Sequence, residues 1–164
     1  MKKLNTYFKV CAVVLFYMVF VFGCKKTEVT NYNTSEIEAA QMKDWLDANV
    51  NNNKNIDTTS TGLYYIVDKV GSGPKVMTGD SLTVKYTGMF MDGTVFDAAP
   101  SYSYVHKGTG QRMIQGWEEG IEVLSKGGSA VIMIPSAKAY GDNGYAIIPP
   151  FSALLFTIEV IDIK

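Results

Sequence analysis

The chain has 164 residues, 15 Lys+Arg against 16 Asp+Glu, and 47% hydrophobic to 19% charged residues. That balance excludes a mostly disordered chain and a collagen-like one. Near-neutrality argues against a dedicated nucleic-acid binder, which needs a basic excess to neutralise phosphates.

Residues 10–23 (VCAVVLFYMVFVFG) carry no charge, follow Lys2, Lys3 and Lys9, and end in Gly23 ahead of Cys24. A spanning helix needs roughly 20 apolar residues, so this run is short for a crossing. A basic start, a short apolar middle and a small-residue exit describe an export signal over residues 1–23. Cys11 leaves with the signal and Cys24 becomes the first mature residue, so a disulfide framework and a thiolate zinc site are excluded. A lone cysteine at the processing point resembles a bacterial lipoprotein. That resemblance implies lipidation of Cys24 and a domain held in the cell envelope, on a membrane surface facing the periplasm or the outside.

Residues 24–60 read as a tether holding one helix. Ser35 and Glu38 have capping-box spacing, which predicts a helix over 35–48 with Ile37, Ala40, Met42, Trp45 and Leu46 on a broad apolar arc. That arc predicts partial docking. Residues 49–60 (NVNNNKNIDTTS) place four Asn in five positions and read as a linker.

Residues 61–164 read as one β-rich domain. LYYIVDKV (63–70) has strand composition. SLTVKYTG (81–88) alternates, with Leu82, Val84 and Tyr86 on one face. Asp92-Gly93 signals a hairpin turn into the strand TVFDA (94–98). The stretch after it, DAAPSYSYVHKGTGQR (97–112), is irregular. Trp117, Ile121 and Leu124 fall at i, i+4 and i+7, predicting a helix over 115–126 stopped by Gly127-Gly128. SAVIMIP (129–135) is the next strand, 141–150 a long loop, and ALLFTIEVIDI (153–163) the last strand. Several antiparallel strands and one helix predict an α+β domain, a curved sheet wrapped around a short helix that presents Trp117 to its concave face.

The usual catalytic equipment is missing. The one histidine, His106, falls in a Gly-rich stretch read as an exposed loop, without metal-ligand spacing. No nucleophile elbow is present, and Glu118 and Glu119 read as a solvated helix start. What remains is aromatic density near hydroxyls: Tyr86, Phe96, Tyr102, Trp117, Tyr140, Tyr145 and Phe156. Such residues at inward strand positions are ordinarily core.

Six ordered blocks give them a second meaning: VKYTG (84–88), DGTVFD (92–97), MIQGWEEG (113–120), AYG (139–141), IIPP (147–150) and LLFTIEV (154–160). Together they resemble the FKBP-type peptidyl-prolyl cis–trans isomerases over residues 62–164. The resemblance implies a sheet of about five antiparallel strands around a short helix, and a proline pocket. Trp117 is its implied floor, with Tyr86, Phe96 and Phe156 as walls. The Ile114 backbone N–H and the Tyr140 hydroxyl are implied to hold substrate carbonyls, and Asp97 to pair with the Tyr86 hydroxyl. Tyr102, Met113, Tyr145 and Ile148 are implied substrate contacts. It further implies proline-containing polypeptides as partners, an apolar residue before the proline, and no cofactor or metal. A monomer is expected, with dimerisation through residues 35–48 as the alternative. The competing functional reading is a non-catalytic peptide-binding or chaperone module with the same pocket.

Overall fold

The computed structural model describes residues 33–108 and 113–164. The signal expected over 1–23, the lipidation point Cys24 and the tether as far as Tyr32 lie outside the described residues.

The first helix, α1, spans Ser35–Asn51. Its N-cap is Thr34, whose hydroxyl accepts the Ile37 N–H at 3.4 Å. The expected Ser35–Glu38 box does not form. Glu38 is 8% exposed, and its carboxylate instead accepts the Ser136 N–H and Oγ–H at 2.5 and 2.6 Å. Glu38 is the buried residue of the helix, while Met42, Trp45 and Leu46 of the apolar arc are half-buried, so the partial docking uses a carboxylate as well as part of the arc. The Asn-rich stretch is not simply a linker. The Asn52 N–H closes onto the Ala48 carbonyl at 3.2 Å, and Asn53 stops the helix at φ 55°. The sheet then begins inside the same stretch, because β1 (Asp57–Thr58) pairs with β2 (Tyr64–Lys69).

β3 (Ser81–Phe90) and β4 (Val95–Val105) form the long hairpin. Gly93 takes φ 86°, the Phe90 N–H donates to the Thr94 carbonyl at 2.9 Å, and Asp92 Oδ1 accepts the Thr94 N–H at 2.8 Å. This is the turn expected from the Asp-Gly pair. β4 runs to Val105, well beyond the five residues predicted. Tyr86 pairs with Ala99 but Val84 pairs with Tyr102, so β4 holds one extra residue around Pro100. A proline in a strand is accommodated at a bulge on an edge, and β4 is an edge strand.

The second helix, α2, spans Gln115–Ile121, shorter than the predicted 115–126. Val123 and Leu124 donate to Gly120 and Ile121, so the last turn tightens to i+3 bonds and ends. β5 (Ser129–Ile134), a 3-10 turn (Ser136–Lys138) and β6 (Leu154–Ile163) complete the chain. The six strands are antiparallel in the order β1-β2-β5-β6-β3-β4. The core lies between the sheet and α2, with Leu82, Val84, Ile121, Ile132, Ile158 and Val160 fully buried. Gly116 and Gly120 face Ile134 and Ile132, and a Cβ at either would press into those side chains. The two glycines therefore let α2 lie close on β5, which sets the depth of Trp117.

Candidate functional site

A cavity of about 490 Å³ opens between α2, the β3–β4 hairpin and the rim segment that follows β5. The structure gathers Tyr86, Phe96, Asp97, Met113, Ile114, Trp117, Tyr140, Tyr145 and Phe156 around it, together with Ala139. Of the implied contacts, Tyr102 and Ile148 do not line it. Tyr102 stacks on Tyr104 with centroids 5.6 Å apart and meets the edge of Tyr86, behind the wall. Ile148 is 6% exposed and turned into the core. Its backbone closes a tight turn on Tyr145, each N–H donating to the other's carbonyl at 2.8–2.9 Å. Ala139 was not foreseen, since a lone alanine beside a tyrosine carries no pattern.

The rings are arranged as a slot. Trp117 is 1% exposed and forms the floor. Tyr86 and Phe156 stand edge-on to it, with centroids at 5.1 and 5.2 Å and interplanar angles of 83° and 86°. Phe96 stands at 87° to Phe156, 5.6 Å away. Edge-to-face packing is the favoured contact of aromatic quadrupoles, so the walls hold each other upright without filling the slot. Gly88, opposite Phe156 in the sheet, makes this possible: a Cβ there would lie 2.8 Å from both Phe156 and Phe96. Tyr145 stacks on Tyr140 at 5.4 Å and 12° while remaining 67% exposed, which makes a solvent-facing lip.

Polar groups sit at the edge. The Tyr86 hydroxyl donates to Asp97 Oδ2 at 2.7 Å. Burial, and then this bond, push the Tyr86 phenol up to about 12, so it stays a donor throughout the physiological range. Burial also raises Tyr140. The Ile114 carbonyl accepts the Trp117 and Glu118 N–H groups, whereas among the described residues its own N–H and the Tyr140 hydroxyl are left without a partner. Both can therefore donate to a bound carbonyl.

Beneath the floor lies a feature that the sequence does not reveal. The Trp117 indole N–H donates to the Tyr104 hydroxyl at 2.8 Å. Two residues on, His106 is fully buried instead of lying in an exposed loop. Its Nδ1 faces Glu118 Oε2, and its Nε2 lies 2.8 Å from Glu122 Oε1. Glu118, read as solvated, has no exposure at all. Glu119 departs from its expected role as well. Burial raises its carboxyl, but bonds from Lys138, Thr61 and Gln115 outweigh that and hold it below the ordinary range. Tyr104 of β4, and His106 just beyond its end, thus tie this edge of the sheet to Trp117 and Glu118 of α2.

Among the described residues no cluster of His, Cys, Asp or Glu is arranged to hold a metal. The cavity instead offers a desolvated aromatic slot with a few donors at its edge, suited to a compact apolar ring flanked by carbonyls.

Residues 73–161 match the family model described as FKBP-type peptidyl-prolyl cis-trans isomerase. A relative so described in Buchnera aphidicola, FkpA, is 38% identical over 68% of this chain and 44% of its own length. FkpA of Escherichia coli is 37% identical over 68% and 41%. A probable FKBP-type isomerase of Haemophilus influenzae is 33% identical over 77% and 53%. The chain thus spans about half the length of the curated relatives it matches. The crystal structure of E. coli FkpA superposes with a TM-score of 0.62 at 34% identity, covering 79% of this chain and 65% of that one. An isomerase structure from Pseudomonas syringae, at 24% identity and a TM-score of 0.68, covers 80% of this chain and 97% of its own and shares the fold.

Proposed function

The chain belongs to the FKBP-type peptidyl-prolyl cis-trans isomerase family, and we propose that it accelerates rotation about X-Pro bonds in polypeptides that enter the slot over Trp117. The observation that carries this reading is the pair of perpendicular contacts, Tyr86 and Phe156 on the indole at 5.1 and 5.2 Å, in a cavity also lined by Ile114 and Tyr140.

The chemistry needs no nucleophile, acid–base pair or metal. Twisting an amide breaks its resonance, at a barrier of about 18–20 kcal/mol. At X-Pro bonds the two isomers lie close in energy, so the barrier alone makes exchange slow, on the order of tens to hundreds of seconds. A planar amide is charge-separated and well solvated by water, and the twisted form has lost much of that character. A slot that strips water from the prolyl ring therefore favours the twisted amide over the planar one. The Ile114 N–H and the Tyr140 hydroxyl hold the flanking carbonyls, fixing the chain on either side while the bond turns. Asp97 holds the Tyr86 hydroxyl, keeping that wall in place. Shortening tens of seconds to milliseconds takes roughly 10⁴-fold, about 5–6 kcal/mol. Desolvation with two aimed hydrogen bonds is of that order.

In this proposal the substrates are unfolded or loosely folded chains with an apolar residue before the proline, and they are exported proteins. Residues 1–23 direct export and Cys24 carries the lipid, which places the domain at an envelope membrane as a monomer. Among the described residues no helix is long and apolar enough to cross a membrane. The test is a coupled isomerisation assay on a short X-Pro peptide. Trp117→Ala and Phe96→Ala should each abolish acceleration and binding, while Glu159→Ala on β6 should leave both intact. Equal effects of the three substitutions would remove the pocket assignment.

A further inference from the structure

The segment between β5 and β6 carries Ala139, Tyr140 and Tyr145, all of which line the slot. Both ends of that segment are held by the stretch at the start of α1. At one end Glu38 caps the 3-10 turn from outside it, accepting the Ser136 N–H and Oγ–H at 2.5 and 2.6 Å. At the other end Asn33 Nδ2 donates to Ser152 Oγ at 3.0 Å, and that hydroxyl donates to the Pro149 carbonyl at 2.8 Å. Ser136 and Ser152 are each 5% exposed. Neither Asn33 nor Glu38 lies in the family-matched span, 73–161.

Local geometry carries the Glu38 contact to the lip. The Ser136 carbonyl receives the N–H groups of Ala139 and Gly141, both at 2.8 Å, so this one peptide anchors the backbone on both sides of Tyr140. The Ser136 N–H, as the first donor of a helical turn, has no acceptor within that turn. A buried carboxylate is unfavourable unless fully bonded, so Glu38 is committed to this contact. Lys138, on the same turn, is fixed to Glu119 of α2 at 2.8 Å. Tyr140 therefore hangs from a turn braced by α2 on one side and by α1 on the other.

We infer that residues 33–38 are a clasp on the pocket rim, and that Glu38 is a positioning residue for Tyr140 acting through Ser136. The inference rests on the proposed proline site for its catalytic consequence and on geometry alone for its structural one. The simpler role for Glu38 is to fasten α1 and nothing more.

The full-length chain carrying Glu38→Ala or Glu38→Gln separates these. Gln accepts the Ser136 N–H through its carbonyl and donates to Ser136 Oγ through its amide, whereas Ala does neither. Two readouts are taken: amide hydrogen exchange at Ala139 and Gly141, and steady-state isomerisation of an X-Pro peptide. In E38A exchange at both amides should rise at least about tenfold, and KM should rise roughly three- to tenfold with kcat nearly unchanged. Glu38→Gln should restore both. If E38A frees the α1 amides while Ala139 and Gly141 stay protected and KM is unmoved, the clasp is overturned. The exchange arm needs no catalysis. A wild-type chain without isomerase activity would defeat the proline-site reading, yet faster exchange at Ala139 would still uphold the clasp. Should E38A not fold, Asn33→Ala probes the other end. Faster exchange at Phe151, whose N–H donates to the Gly141 carbonyl at 2.9 Å, supports the clasp, and unchanged exchange there opposes it.

Discussion

Replacing His106 by Leu tests the tie between the end of β4 and the helix beneath the pocket. Glu118 has no exposure, its Oε1 has no partner among the described residues, and its Oε2 faces His106 Nδ1. Leu fills much of the imidazole volume, so little cavity is added. The change instead leaves the Glu118 carboxyl without its His106 partner in a dry site. Leaving a buried polar group without its hydrogen-bond partner is destabilising by about 1–3 kcal/mol, and by more where the group is charged. At about 3–6 °C per kcal/mol for a domain of this size, Tm should fall by roughly 3–18 °C. Urea unfolding followed by far-ultraviolet circular dichroism measures the loss. The double variant His106→Leu/Glu118→Leu removes the stranded carboxyl as well and should recover more than half of it. A single variant within about 0.5 kcal/mol of wild type, or a double variant no more stable than the single, would refute the reasoning.

Gly88→Ala pushes a methyl group against Phe96 and Phe156, both 2.8 Å from the added atom. Overpacking of this kind is destabilising by about 1–3 kcal/mol, and both walls must move, so peptide binding should weaken more than the fold does. A variant that binds the peptide as wild type does would contradict the slot geometry. Alkaline titration gives an independent check. The folded state holds the Tyr86 phenol neutral up to about 12 against an ordinary 10.0. The unfolded chain therefore loses that proton first, so this contribution to stability is intact below pH 10 and is lost as pH rises towards 12. Ultraviolet titration should find at least two late tyrosines, Tyr86 and the buried Tyr104, which is also raised. A single wave with every tyrosine ionising together would oppose it.

The fold was legible where periodicity and turn chemistry agree. Leu82, Val84 and Tyr86 alternate as a half-buried strand must, and Asp92-Gly93 selects its own turn. Trp117, Ile121 and Leu124 keep helical spacing even though the helix ends before Leu124, because an i+3 turn still carries that residue to the core. The failures come from long-range partners. Glu38 has capping-box spacing, but Ser136 claims its carboxylate from 98 residues away. His106 is a loop residue just past β4, as expected, but not an exposed one, because the pairing of β3 with β4 carries it onto Glu118. Pro100 disguised a continuous strand, since a bulge on an edge tolerates what an interior position does not. In the site, the aromatic members carried recognisable motifs. Ile148 sat in an equally good one and Tyr102 in the irregular stretch after Asp97, yet strand register turns Tyr102 behind the wall and the Tyr145 turn drives Ile148 inward.

The central claim is that the slot over Trp117 turns over X-Pro bonds and does not merely hold them. Exchange spectroscopy on an unmodified X-Pro peptide, with the protein at substoichiometric concentration, tests it most directly. The account predicts cross-peaks linking the cis and trans proline signals, with exchange raised by about 10⁴ at the slot, and their disappearance with Trp117→Ala. Peptide signals that shift on binding while cis and trans stay unconnected would contradict it and leave a peptide-binding module in its place.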